Sequence, residues 1–362
     1  MTAKTFDIRS LFVRPGDRLK LAAEKINQSR RGLAALVVDE NGVLIDIVTD
    51  GDIRRAILDG LDMDTPVAAL KTRKAPSAYP YPVVAPATLN AAELLAFMRE
   101  RSVPQVPLVD GDGRPVDVVR LVDLFPHDEL GMQAVVMAGG LGQRLRPLTT
   151  DMPKPMLPVG NRPLLERTVE MLRAAGVRRV NVTTHYKAEK IREHFGDGRA
   201  FGVDIEYINE DTPLGTAGAL SLLPASPDPL LVINGDVLTQ VDFRAMLQFH
   251  REQSAALSVA VRKYDLQVPY GVLECEGAVV RGLREKPVYT YFVNAGIYLL
   301  EPEARALIPS GHRFDMTDLI NRLIESGKRV VSFPVVEYWL DIGQLGDYER
   351  AQRDVQSSQF DQ

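Results

Sequence analysis

Two sets of residues in this chain are of types that do chemistry on phosphates. The first is Gly139-Gly140-Leu141-Gly142-Gln143-Arg144-Leu145-Arg146-Pro147-Leu148-Thr149, followed closely by Pro153-Lys154-Pro155-Met156-Leu157-Pro158. Glycines let backbone approach a ligand with no Cβ in the way. Arg144 and Lys154 add two cations able to face phosphates. The second set is a pair of carboxylates. Ile233-Asn234-Gly235-Asp236-Val237 ends an apolar run with one, and Trp339-Leu340-Asp341-Ile342-Gly343 supplies the other much later in the chain. Taken singly, each feature has a plain alternative: a glycine-rich turn with solvated charges, or an aspartate serving a turn or a cap.

The first set needs a strand before it and a helix behind it. The apolar run over 134–138 fits a buried parallel strand, and a helix is predicted over 161–175. Strand, basic glycine turn and helix together make the layout of a phosphate-binding site. Two better-known phosphate loops are excluded. The dinucleotide fingerprint requires glycine where Leu145 stands, and a Walker A loop requires Gly-Lys before Ser or Thr, which does not occur here. An NAD(P)-dependent dehydrogenase fails on the same residue.

From Gln133 onward, strand-like runs over 134–138, 179–183, 204–208, 230–234 and 257–261 alternate with helix-like segments. This predicts an α/β domain around a mostly parallel sheet. Ligands of such sheets bind beyond the carboxyl ends of the strands, where the motifs fall. A further one, Glu210-Asp211-Thr212-Pro213-Leu214-Gly215-Thr216-Ala217-Gly218, follows the third run.

The ordered glycine, arginine and lysine motif resembles the signature of the sugar-1-phosphate nucleotidyltransferases, or NDP-sugar pyrophosphorylases, and the resemblance runs to about residue 353. It implies a Rossmann-like, glycosyltransferase-A-like fold over 133–356. It also implies an NTP and a sugar 1-phosphate as substrates, magnesium as cofactor, and NDP-sugar and pyrophosphate as products. Nucleotide binding would fall to Ala138, Gly139, Gly140, Gly142, Glu210, Gly215 and Thr216. Arg144, Lys154, Asp236 and Lys286 would be catalytic. Asp236 and Asp341 would hold magnesium, a hard cation that takes one or two carboxylates together with substrate phosphates. Tyr270-Gly271-Val272, Arg284-Glu285-Lys286-Pro287 and Phe292-Val293-Asn294-Ala295-Gly296-Ile297-Tyr298 form the sugar-facing set of the family. There Lys286 would grip the sugar phosphate, Glu285 and Asn294 would bond hydroxyls, and Gly271 would lie against the ring.

Glu210 bears on the base. Family members for thymine or uracil often carry Gln there, whereas a carboxylate offers only acceptors and suits the N1–H and N2–H₂ donors of guanine. GTP is therefore favoured, with UTP and dTTP kept as alternatives because backbone groups can read a base instead.

The first 127 residues contain an internal repeat. Leu36-Val37-Val38-Asp39-Glu40-Asn41-Gly42 recurs as Pro107-Leu108-Val109-Asp110-Gly111-Asp112-Gly113, an offset of 71 residues that also maps Asp52 onto Asp123. Each copy reads as a helix (19–29, then 89–101), a strand, an Asp/Asn-Gly turn and a second strand. Thr49-Asp50-Gly51-Asp52 then reads as a capped helix start. The copies resemble a pair of α+β CBS domains, about 1–70 and 71–127. That family often holds adenine nucleotides between the copies, which makes Thr49, Asp52 and Asp123 ligand candidates. Arg120 stands where the first copy has Thr49, so one of the two pseudo-symmetric sites is expected to be degenerate. A dimerisation or spacer module without ligand is the alternative. Pro76, Pro80, Pro82 and Pro86 suggest an extended connector, 128–132 a linker and 357–362 a tail. CBS pairs ahead of this transferase domain resemble a subgroup making GDP-activated sugars for cell-surface glycans, including glucosamine-1-phosphate guanylyltransferases. Mannose 1-phosphate and a heptose 1-phosphate are further options.

Composition sets the outer limits. The chain has 362 residues, 45% apolar and 25% charged, which is ordinary globular composition and suits about two domains. A net charge of −5 gives no general pull toward nucleic acid or anionic membrane, and no basic-aromatic patch is seen. The single cysteine, Cys275, excludes an internal disulfide and a cysteine-based zinc cluster. No apolar run approaches the ~20 residues that span a bilayer, and Asp7, Arg9 and Arg14 argue against a signal peptide. A cytoplasmic homo-oligomer is expected. The competing class is a nucleotide-sensing CBS protein whose transferase domain is inactive.

Overall fold

The computed structural model describes residues 7–29, 33–74, 81–101, 103–124, 130–210, 212–357 and 360. The first two residues of the expected linker, most of the expected tail, Pro76, Pro80 and Asp211 lie outside these residues. The chain divides into two compact units, Met1–Glu129 and Leu130–Gln362.

The first unit shows the repeat as structure. Strand β1 (Phe12–Val13), helix α1 (Leu19–Gln28), and strands β2 (Ala35–Val38) and β3 (Leu44–Val48) are followed by helix α2 (Asp50–Leu58). The second copy runs through β4 (Ala85–Pro86), α3 (Ala91–Glu100), β5 (Gln105–Val109) and β6 (Pro115–Arg120). The two sheets share one order, β1-β2-β3 and β4-β5-β6, each a parallel pair extended by an antiparallel hairpin. The hairpin turns match at the repeat offset. Asp39 Oδ1 accepts from the amides of Asn41 (2.8 Å) and Val43 (2.9 Å), and Asp110 Oδ1 does so from Asp112 (3.0 Å) and Arg114 (2.9 Å). Gly42 and Gly113 supply the positive φ, +81° and +77°, that closes each turn. Helix α3 starts two residues later than predicted because Asn90 and Glu93 form the capping box.

The second unit is built on seven strands. β7 (Gln133–Met137), β8 (Arg179–Thr184), β9 (Asp204–Asn209) and β10 (Leu230–Asn234) are joined by β12 (Leu257–Gln267), β15 (Val288–Leu300) and β16 (Val330–Pro334). Their order is β9-β8-β7-β10-β15-β12-β16, and only β15 runs against the others. The buried stretches of the central strands, 134–136 of β7 and 230–233 of β10, are wholly apolar, as burial on both faces demands. Helix α4 (Leu164–Ala175) covers one face. It stops at Gly176, whose φ of +94° lets its own amide and that of Val177 close on Arg173 and Leu172. Helices α5 (Ala188–Phe195), α6 (Phe243–Glu252), α7 (Met316–Glu325) and α8 (Leu345–Gln356) complete the layers. Phe360 is buried beyond α8, edge-on to Tyr338 at 5.4 Å, so that part of the expected tail packs on the domain.

The sequence pattern ends the fifth strand at residue 261. In the structure β12 continues to Gln267 and pairs with the outer half of β15 as a projecting ribbon. A hairpin of β13 (Val272–Glu276) and β14 (Val279–Arg284) lies between them. Last, β11 (Val237–Thr239) pairs antiparallel with β17 (Trp339–Asp341).

Candidate active site

The glycine turn leaves the carboxyl end of β7, where the topology places ligands. Close packing explains two of its glycines, Gly139 and Gly142. A Cβ on Gly139 would stand 2.9 Å from Glu210 Oε1, and one on Gly142 (φ +60°) 2.9 Å from Thr149 Cγ2 and 3.3 Å from Lys154 Cβ. Thr149 donates to the Gly142 carbonyl at 2.8 Å, and the Ala138 amide bonds the Thr183 carbonyl at 3.1 Å. Gly140 has open space where a side chain would be.

The two aspartates, distant in sequence, are neighbours. Asp341 is paired with Val237, and the Ile342 amide donates to the Asp236 carbonyl at 3.0 Å. Gly235 makes this possible by lying directly on the end of β7. A Cβ there would be 2.5 Å from the Met137 carbonyl oxygen.

Lys154, carried by the short 3-10 turn after Pro153, reaches Asp236 Oδ2 at 2.7 Å, with both side chains largely shielded from water. Arg144 Nη1 and Asp341 Oδ2 both face Gly343, each 3.7 Å from where its Cβ would be, beside Asp347 Oδ2 at 3.6 Å. Burial raises the Asp341 pKa above the usual carboxylate value, and Asp236 raises it further, while Lys154 and Arg144 pull it back. Two neighbouring carboxylates make a donor set suited to a hard cation.

Glu210 is buried beside the turn. Its Oε2 accepts from the Leu214 amide at 3.0 Å, and its carbonyl is 2.8 Å from His185 Nδ1. Gly215 (φ +81°) and Thr216 open a four-residue helix held by Asp315, whose Oδ1 accepts from the Thr216 amide at 3.0 Å.

The remaining sugar-facing residues lie along the ribbon. Gly271 sits against Glu285, whose Oε2 would be 3.0 Å from a Cβ at that glycine. Lys286 stands exposed at the bend into β15, in left-handed backbone at φ +44°. Asn294 is exposed but tethered, its Nδ2 donating to the Tyr298 hydroxyl at 2.8 Å and its Oδ1 accepting from the Gly296 amide at 2.9 Å. A Cβ on Gly296 would meet Asn234 Nδ2 at 2.7 Å, which ties this turn to the strand end before Asp236.

The structure therefore gathers Arg144, Lys154, Asp236 and Asp341 in one cluster and Gly139 with Glu210 in another beside it. Glu285 and Lys286 lie out on the ribbon. Sequence reasoning missed Asp315 and Asp347, which belong to no motif. In the other unit, Thr49 and Asp52 cap α2. The Asp52 carboxylate accepts from the Thr49 amide and hydroxyl, both at 2.9 Å, and pairs with Arg55 at 2.8 Å. Asp123 is gripped by both arms of Arg120, at 3.0 and 2.7 Å.

Residues 133–358 match the nucleotidyl transferase family, and 6–59 and 78–127 each match the CBS domain. The chain belongs to the nucleotidyl transferase family. Within the family it is 33% identical over 250 residues to a UTP–glucose-1-phosphate uridylyltransferase of Synechocystis, covering 63% of this chain and 64% of that one. It is 34% identical over 232 residues to a mannose-1-phosphate guanylyltransferase of Mycobacterium tuberculosis, covering 62% and 64%. The chain thus spans less than two thirds of the length of these relatives. A Bacillus anthracis protein described as a glucose-1-phosphate thymidylyltransferase, solved with sucrose, superposes with a TM-score of 0.51. It is 26% identical, over 61% of this chain and 94% of that one. No described helix is long and apolar enough to cross a membrane.

Proposed function

We propose that this nucleotidyl transferase moves a nucleotidyl group from an NTP, GTP by preference, to a sugar 1-phosphate, yielding NDP-sugar and pyrophosphate. The observation that carries the proposal is the convergence of Asp236, Asp341, Arg144 and Lys154 beside the glycine turn at the strand ends. The oxygen of the sugar phosphate attacks the α-phosphorus in line and pyrophosphate leaves. A phosphate monoester is already an anionic nucleophile near neutral pH, so positioning and charge stabilisation are the main demands.

Arg144 and Lys154 hold the triphosphate and the departing pyrophosphate. Lys286 brings in the second anion, with Glu285, Asn294 and Gly271 around the sugar. Asp236 and Asp341 are the residues that would hold magnesium, which when bound offsets charge at the α-phosphate. The acceptor-only Glu210, next to the turn, supports guanine. The mannose-1-phosphate guanylyltransferase relative supports both guanine and a mannose-type sugar, an amino sugar stays the second option, and the uridylyltransferase relative keeps UTP as the alternative.

A panel of four NTPs against glucosamine, mannose and heptose 1-phosphates, read by pyrophosphate release, tests this. GTP is expected to lead. Silence across the panel would favour the nucleotide sensor. In the CBS pair, the first copy is read as an adenine nucleotide site and the second as closed by the Arg120–Asp123 pair. Titration with AMP and ATP should give about one site per chain, and no binding would leave the pair a spacer or dimerisation module of a homo-oligomer.

A further inference from the structure

The segment proposed to face the nucleotide, 212–218, is short, glycine-rich and carries little hydrogen bonding of its own, yet it is held on two sides. On one side the Glu210 carboxylate takes the Leu214 amide. On the other, residues 314–316 at the start of α7 run against it. The Phe314 amide donates to the Leu214 carbonyl at 2.8 Å, and the Phe314 carbonyl accepts from the amides of Ala217 (3.0 Å) and Gly218 (2.8 Å). Asp315 closes the contact, its Oδ1 accepting from the Thr216 amide at 3.0 Å and facing the Thr216 hydroxyl at 3.4 Å. That hydroxyl accepts from the Met316 amide at 2.8 Å. The fit is tight: a Cβ on Gly215 would stand 2.5 Å from Asp315 Oδ1.

We infer that Asp315 is a positioning residue for the nucleotide. Its carboxylate fixes Gly215 and Thr216 in the conformation that receives the NTP. The inference rests on the proposed function. A carboxylate bonded to a backbone amide is a strong, charge-assisted contact. Its loss should let the 214–218 backbone sample open forms, so that nucleotide binding must reorder it. Asp315 also precedes α7, where its amide donates to Asp318 Oδ2 at 2.9 Å. Asp318→Ala therefore disturbs the same helix start without touching Thr216.

Two readouts on the full chain separate the possibilities. Hydrogen exchange of the ligand-free protein reads the brace alone. In Asp315→Ala, the amides of Thr216, Ala217 and Gly218 should exchange about tenfold faster or more. Steady-state kinetics reads its use. KM for the NTP should rise about tenfold, as loss of one charged hydrogen bond gives, with kcat and KM for the sugar phosphate within about twofold. Asp315→Asn keeps an acceptor for the Thr216 amide and should restore both, while Asp318→Ala should lower Tm and leave KM alone. Unchanged exchange in Asp315→Ala would overturn the inference, as would an equal rise in KM in Asp318→Ala or an equal rise for both substrates. Wild-type protein inert toward every NTP would sink the proposed function instead, with the exchange result standing on its own.

Discussion

The two regions of the Leu130–Gln362 unit that carry the proposed site are built in opposite ways. At the strand ends the backbone around the two aspartates is tightly packed, although Asp341 and Arg144 themselves reach solvent. Gly235 has no room for a methyl group, Asp236 and Asp341 sit on paired strands, and Lys154 is 12% exposed. On the ribbon, Tyr270, Leu273 and Leu283 are 74%, 55% and 63% exposed. The β13–β14 hairpin is held there by exposed ion pairs, Glu274–Arg284 at 2.6 Å and Glu276–Arg281 at 3.0 Å. Exposed pairs contribute little, and a lone two-stranded hairpin is marginal in water. Rigidity is thus concentrated where like charges must be held together, and freedom is left where a sugar must enter and leave.

If that contrast is real, substitutions at the centre should damage turnover and those on the ribbon should damage one substrate's binding. The largest effect is expected for Asp236→Asn. Removing a preorganised charge should lower kcat at least about 100-fold, with Tm changed little. Near-normal turnover would take the metal role away from that residue.

The next effect tests the buried frame behind the centre. His250 on α6 is 1% exposed, with Nδ1 2.7 Å from Ser258 Oγ and Nε2 3.2 Å from Glu301 Oε1. Burial, with Arg251 adding to it, pushes its pKa down from 6.5 to about 4, so it is neutral at pH 7 and the Glu301 contact is a hydrogen bond. Between those two values the unfolded chain binds the extra proton. The stabilisation is therefore complete above about pH 6.5 and is lost as pH falls toward 4. Denaturant unfolding at pH 7 and pH 5 should differ by about 2 kcal/mol from this group. A His250→Gln variant should lose that part of the slope, and an unchanged slope would refute the assignment.

On the ribbon, Lys286→Ala should raise KM for the sugar phosphate about tenfold, as loss of a charged contact does, and leave KM for the NTP unaltered. A fall in kcat alone would move Lys286 to the centre's side of the comparison. The smallest effect is expected for Leu273→Ala in the hairpin. Urea unfolding should shift by less than about 0.5 kcal/mol, as for other exposed positions; a loss of 2 kcal/mol or more would mean that the ribbon is covered.

The same contrast decided what could be read from the sequence. Strands β7 and β10 have continuous apolar middles that run into glycine motifs, and β8 and β9 carry regularly spaced apolar residues, so the sequence pattern places all four to within one residue at either end. The outer half of β12 carries Arg262, Lys263, Asp265 and Gln267 among its apolar residues, and β15 changes from exposed to buried midway. Neither shows the steady period that marks a strand. Asp236 and Asp341 could be named from their motifs, but their adjacency depends on the β11–β17 pairing, which no local pattern encodes. Asp315 was invisible for the same reason: its contact to Thr216 spans 99 residues of sequence.

The central claim is that this site joins two anions under positive charge. Its most direct test follows pyrophosphate and NDP-sugar together in one reaction of GTP, magnesium and a sugar 1-phosphate. The account predicts that both appear in equal amounts and that neither forms when the sugar phosphate or the magnesium is omitted. Pyrophosphate released from GTP without a sugar phosphate, or no product with any pairing of substrates, would contradict it.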